Sequence, residues 1–195
     1  MLPSGDSSSE LMTAEQLLTY DARGMRTELV RGRLVVREPA GYQHGHIASR
    51  VLVRIGIFLA RDQAERSAEH PLGDVLAAET GFTIERQPDT VRAPDVAFVS
   101  WDRRPVDRSG FADLAPDLAV EVLSPTDRPG LVLGKVADWL NAGTALVWVI
   151  DPIRRTTRVY RADGSDAALS ETSTLDGEAI LPGFMLQLAE LFRGD

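Results

Sequence analysis

Three residues stand where their chemistry is expensive unless it is used. Glu121 lies in Leu118-Ala-Val-Glu-Val-Leu123, with apolar neighbours on both faces of the run. Strand alternation puts Ala119, Glu121 and Leu123 on one side. A buried carboxylate is costly unless it is paired, hydrogen-bonded or bound to a metal. Asp95 opens a second apolar run, Asp95-Val-Ala-Phe-Val-Ser100, directly after Pro94, with Ala97 and Val99 on its face. Lys135 is the one lysine in a chain with twenty arginines. An ammonium is a compact charge whose pKa can fall, whereas a guanidinium stays charged.

Each residue also has an ordinary explanation. Asp95 can be a turn residue after proline, Glu121 an ion-pair partner for an arginine at the core edge, and Lys135 a remnant of an arginine-rich composition. Together they point further. Two neighbouring strands that each present one acid supply the oxygen ligands that hold Mg²⁺, which binds through one or two carboxylates and keeps its waters. Lys135 borders the apolar face made by Val132, Val136 and Trp139 on the following helix, from which its ammonium can lean toward the acids. Glu28 and His44 are two further polar candidates upstream. His44 and His46 are too close in sequence for i,i+4 ligation on a helix, which argues against zinc. His70, before Pro71, reads as a loop residue.

The elements that must position these groups follow from pattern. Thr13–Tyr20 reads as a short helix with Thr13 as N-cap and Gln16 at the capping-box position. Thr27–Arg37 is a hairpin turning at Arg31-Gly32. Gly45–Asp62 is a helix whose Arg50, Arg54 and Arg61 share a stripe. The usual reading of such a stripe is a solvated face, with phosphate contact the minority reading. Strands are expected at 74–78, 81–85, 95–100, 117–123, 145–150 and 156–161. The Lys135 helix spans about Arg128 to Ala142 and stops at Gly143. A last helix covers 188–192. Strands interleaved with two long helices predict an α/β sandwich around a mixed sheet.

Composition bounds the rest. The chain has 195 residues, enough for one domain with a sizeable core, and 44% of them are hydrophobic. It has no cysteine, which excludes disulfides, thiolate zinc sites and cysteine nucleophiles. Residues 1–10 read as a flexible tail without signal-peptide character, so a cytoplasmic location is expected. No run is long and apolar enough to span a membrane. A net charge of −8 argues against a general nucleic-acid coat. It leaves room for a local cationic groove, or for metal ions that meet a phosphate.

Several segments, in order, are similar to a known family. They are Glu28-Leu-Val-Arg-Gly-Arg-Leu34, His44-Gly45, Arg92-Ala-Pro-Asp-Val-Ala-Phe-Val99 and Pro116-Asp-Leu-Ala-Val-Glu-Val-Leu-Ser-Pro125. Lys135, Trp139-Leu-Asn-Ala-Gly143, Val147-Trp-Val-Ile-Asp-Pro152 and Leu181-Pro-Gly-Phe184 continue the order. Over roughly residues 11–193 the chain resembles the Uma-type family of restriction-endonuclease-like proteins, within the PD-(D/E)XK nuclease superfamily.

The resemblance implies a restriction-endonuclease-like α/β (α+β) fold: a mixed central sheet flanked by helices, with an N-terminal hairpin. It also implies Mg²⁺- or Mn²⁺-dependent hydrolysis of phosphodiester bonds in DNA. By its motifs, Asp95 matches the PD aspartate and Glu121 the following acid. The metal ligands would be Asp95, Glu121 and the backbone carbonyl of Val122. The superfamily places a lysine two residues after the second acid. Here that position is Leu123, and Lys135 stands where the Uma-type lysine falls. Glu28 and His44 match two more polar positions of the implied site. Asp89 and Asp117 also follow prolines but fall outside the pattern. A homodimer is implied because paired cuts need two sites. The alternative is a nuclease fold that no longer cleaves and serves as a binding or assembly module.

Overall fold

The computed structural model describes residues 11–65 and 71–193. The expected tail and His70 lie outside the described residues. The chain folds as α1 (Ala14–Leu18), β1 (Arg26–Val30), β2 (Arg33–Arg37), α2 (Tyr42–Glu65), β3 (Gly73–Ala77), β4 (Phe82–Glu85), β5 (Thr90–Arg92) and β6 (Val96–Ser100). There follow a 3₁₀ turn (Trp101–Arg103), β7 (Leu118–Val122), α3 (Pro129–Asn141), β8 (Leu146–Asp151), β9 (Thr156–Arg161) and β10 (Asp166–Ser170). The chain ends with β11 (Thr174–Asp176), β12 (Met185–Gln187) and α4 (Leu188–Leu191).

A six-stranded sheet runs in the order β10-β9-β8-β7-β6-β3. Its pairs are antiparallel except β7–β8, which are parallel and joined through α3. The sheet is therefore mixed. β7 and β8 are buried along their whole length, as strands covered on both faces must be. On one face, Ile47, Val51 and Ile55 of α2 pack with Val120, Trp148, Phe184 and Leu188. On the other, Val136 and Trp139 of α3 pack with Ala97, Ala119, Val147 and Phe82.

The hairpin belongs to a second sheet of order β2-β1-β5-β4. Its turn uses Arg31 at φ 48° and Gly32 at φ 75°, the positive-φ pair that a two-residue hairpin loop of matching twist requires. The capping box at Thr13 and Gln16 is formed, and Gly143 at φ 99° ends α3.

Two expectations change. The long helix starts at Tyr42, three residues earlier than its pattern suggests, because the ladder continues through Gly45, whose N–H donates to the Gly41 carbonyl. His44 thus lies on the helix and not before it. The arginine stripe is not simply solvated. Arg50 donates to the carbonyls of Glu190, Leu191 and Arg193, and Arg54 pairs with Glu190 at 2.8 Å. Arg54 and Arg61 are both exposed, and Arg61 makes no such contact among the described residues. Among the described residues no helix is long and apolar enough to cross a membrane.

Candidate active site

The antiparallel register of β6 and β7 pairs Val96 with Val120 and sets Asp95 beside the end of β7. The Asp95 N–H donates to the Val120 carbonyl at 2.9 Å, and the Val122 N–H donates back to Asp95 Oδ2 at 2.8 Å. These two bonds fix the aspartate next to Glu121. The crossover from β7 carries α3 back over the sheet, so residues on its inner side look down on Glu121. Lys135 Nζ donates to Glu121 Oε2 at 2.8 Å, and the Trp139 indole N–H donates to Glu121 Oε1 at 2.9 Å. Spacing of four residues on a helix places both donors on one face.

The second sheet supplies Glu28 from β1. Its Oε1 lies 3.1 Å from Lys135 Nζ and accepts the Ala93 N–H, and its Oε2 accepts from Arg92 at 2.9 Å. Arg92 also holds Asp138 of α3. His44 comes from the first turn of α2, with Nε2 3.1 Å from Asp95 Oδ2. Glu28, Asp95, Glu121, His44 and Lys135 all line one cavity of about 700 Å³. The five side-chain candidates from the sequence are thus brought together, and Val122, the expected carbonyl ligand, is tied to Asp95 through its N–H. Asp89 and Asp117 are not. Asp89 accepts the Ala14 and Gln87 N–H groups, and Asp117 accepts from Ser100 and Arg103.

Burial is the largest single influence on Glu28, Asp95, Glu121 and Lys135, but neighbouring charges decide the direction at three of the four. Glu28 and Asp95 are each 4% exposed, Glu121 7% and Lys135 9%. Burial pushes the Glu121 carboxyl up, Lys135 opposes it, and the charges of Asp95 and Glu28 add to it, leaving the pKa above the ordinary glutamate value. Burial also acts upward on Asp95, but His44, the Val122 N–H and Lys135 outweigh it and hold the pKa low. Glu28 is likewise held low against burial by Lys135 and Arg92. Burial alone would lower the Lys135 pKa. Glu121, Glu28 and Asp95 together raise it, so the ammonium stays charged.

A model of the Uma2 family, described as a putative restriction endonuclease, matches residues 14–189. The chain belongs to the Uma2 family. A solved structure similar to it is titled a putative nuclease belonging to DUF820, from Anabaena variabilis ATCC 29413. The two share 22% identity at a TM-score of 0.76, over 93% of this chain and 97% of that one, a likeness of fold. No curated protein matches the chain.

In this Uma2 member Leu123, where the resemblance led us to expect a lysine, lines the same cavity as Lys135. Sequence reasoning missed Arg26, Arg92 and Asp138. Arg26 Nη2 lies 3.1 Å from Asp95 Oδ1. Its signal is strand alternation, which places Arg26 on the Glu28 face. Asp138 lies one helical turn after Lys135. For Arg92, proximity to Asp95 in the chain is the only signal.

The donor set suits a hard divalent cation. Among the described residues no group of three or more histidine or carboxylate side chains is arranged to hold a metal. Mg²⁺ needs only one or two carboxylates, the remainder being water. Each Glu121 oxygen accepts one hydrogen bond, as does Asp95 Oδ1, which leaves lone pairs unused. Burial does most to raise the Glu121 pKa, and the charges of Asp95 and Glu28 add to it; a bound cation would offset that added repulsion.

Proposed function

We propose that the protein is a metal-dependent endonuclease acting on DNA. The observation that carries this reading is the buried Asp95 and Glu121 pair on adjacent strands, bridged to Glu28 through Lys135. Asp95 and Glu121, with the Val122 carbonyl, would hold Mg²⁺ or Mn²⁺. Such an ion, when bound, polarises a phosphate oxygen and lowers the pKa of a bound water.

The chain's own groups do the rest. Lys135, kept charged by two carboxylates and fixed by both, orients the attacking water and offsets negative charge that builds on the phosphate in the transition state. His44 is oriented by Asp95 through Nε2, and its Nδ1 is buried with no hydrogen-bond partner among the described residues. His44 and Glu28 line the same cavity and are the two further groups we assign to handling protons or a second metal there. The test is cleavage of plasmid and linear DNA with Mg²⁺ or Mn²⁺. Asp95→Asn, Glu121→Gln and Lys135→Ala should each lower the rate roughly a hundredfold or more. Undiminished cleavage in all three variants would remove the site assignment.

A second reading rests on the closed ion pairing: Lys135, Arg92 and Arg26 each already contact an acid of the site. Under it the network is structural and the protein is a non-cleaving binding or assembly module. Calorimetric titration with Mn²⁺ separates the two. The nuclease reading expects saturable binding that Asp95→Asn and Glu121→Gln abolish, and the module reading expects none.

A further inference from the structure

Three arginines reach the cavity acids from the four-stranded sheet, and they are used very differently. Arg92 directs Nε, Nη1 and Nη2 at Asp138 and Glu28, and its side chain is 7% exposed. It is fully committed. Arg26 and Arg37 are not. Arg26 makes one hydrogen bond among the described residues, from Nη2 to Asp95. Arg37 makes one long contact, from Nη1 to Asp127 at 3.5 Å. Its Nε lies 3.7 Å from Glu28, buried and without a hydrogen-bond partner. A guanidinium has five N–H donors, so most of theirs are unspent.

These two residues also face each other. The register of β1 and β2 pairs Arg26 directly with Arg37. Like charges at directly opposed strand positions repel, and the hairpin keeps them at the open end of the site. Both line the cavity, and their side chains stay 22% and 34% exposed, within reach of a ligand. Planar forks of this kind match phosphate oxygens two at a time.

We infer that Arg26 and Arg37 form a phosphate clamp that seats the backbone phosphate next to the scissile one. This rests on the nuclease reading and names its substrate contact. In the free protein the pair leans on Asp95 and Asp127; with substrate it turns to the phosphate. The clamp gives an acidic protein a local cationic entrance, and it frees an oxygen of Asp95 as the strand arrives.

The experiment is anisotropy titration of a labelled oligonucleotide, single- and double-stranded, without divalent metal and across a salt series, followed by steady-state cleavage with Mn²⁺. Arg26→Gln and Arg37→Gln should each weaken binding roughly tenfold and reduce the salt slope by about one phosphate contact. Arg37→Gln, which spares Asp95, should raise KM roughly tenfold with kcat within about twofold. Arg61→Gln removes the same charge from an exposed position outside the cavity and should change neither. Thermal unfolding checks that the variants are folded, and the more exposed Arg37 gives a second test if Arg26→Gln is unstable. If the wild type binds and cleaves while both variants match it in affinity, slope and KM, the clamp is wrong and the nuclease reading stands. If the wild type neither binds nor cleaves, the nuclease reading falls and the clamp with it.

Discussion

At the scale of single residues, Lys135 decides most. It touches two buried carboxylates, and removing one partner of a buried pair leaves the others uncompensated, at a cost of about 3–5 kcal/mol. Lys135→Met should lose about that much stability at neutral pH. The pH dependence has a definite sign. Without the ammonium, Glu121 and Glu28 lose the attraction that opposes their burial, so their folded-state pKa values move up. The folded variant then binds more protons than the unfolded chain, and its stability falls as pH rises through that range. The deficit relative to wild type should therefore be smaller at about pH 5 than at about pH 8, measured by urea unfolding. A constant deficit would mean that packing, not charge, is lost. Lys135→Arg tests the chemistry separately: it keeps the charge, but the fork cannot reproduce a point ammonium between two acids. It should remain folded and lose cleavage activity.

At the scale of elements, β7 and α3 act as one unit, because the helix that follows the strand returns two donors to the strand's own glutamate. Trp139 holds the second oxygen of Glu121 while its ring fills the core against Phe82. Trp139→Phe keeps most of the ring and removes the N–H. It should cost about 1.5–3 kcal/mol, read by chemical denaturation, since the acceptor is charged and buried.

This unit was readable in the sequence: an acid inside an apolar strand, a helix with an apolar face, and a lysine at its edge. The start of α2 was obscured by Gly45, which reads as a breaker and sits inside a helix. β5 follows Pro88-Asp89 and is three residues long, so it reads as a turn. β10 alternates between exposed and half-buried positions and has little apolar pattern to reveal it. Arg26 and Arg92 were hidden for another reason. Their partners, Asp95 and Glu28, are 69 and 64 positions away in the chain, and no local pattern records a contact of that span.

At the scale of the whole molecule, the site is also a joint. Glu28 comes from the four-stranded sheet, Asp95 and Glu121 from the six-stranded sheet, and Lys135 from the helix packed between them and solvent. The acids that would carry out the chemistry therefore link the two sheets, and their mutual repulsion is a cost borne by the entire fold. A cation that binds between Asp95 and Glu121 in the folded state, and not in the unfolded chain, must stabilise the protein globally. At a hundred times its Kd the gain is about 2.7 kcal/mol. Thermal unfolding with increasing Mn²⁺ should show a rising midpoint, with Ca²⁺ as a non-redox comparison. Glu121→Gln should behave in two ways at once. Without metal it should be less stable than wild type, because the amide keeps an acceptor for only one of Lys135 and Trp139, turns its NH2 toward the other, and removes a charge partner of Lys135. With metal it should gain little or nothing. A midpoint that rises equally in wild type and Glu121→Gln would place the cation elsewhere on the acidic surface. In that case the joint would be an ion-pair network that holds the sheets together without a metal.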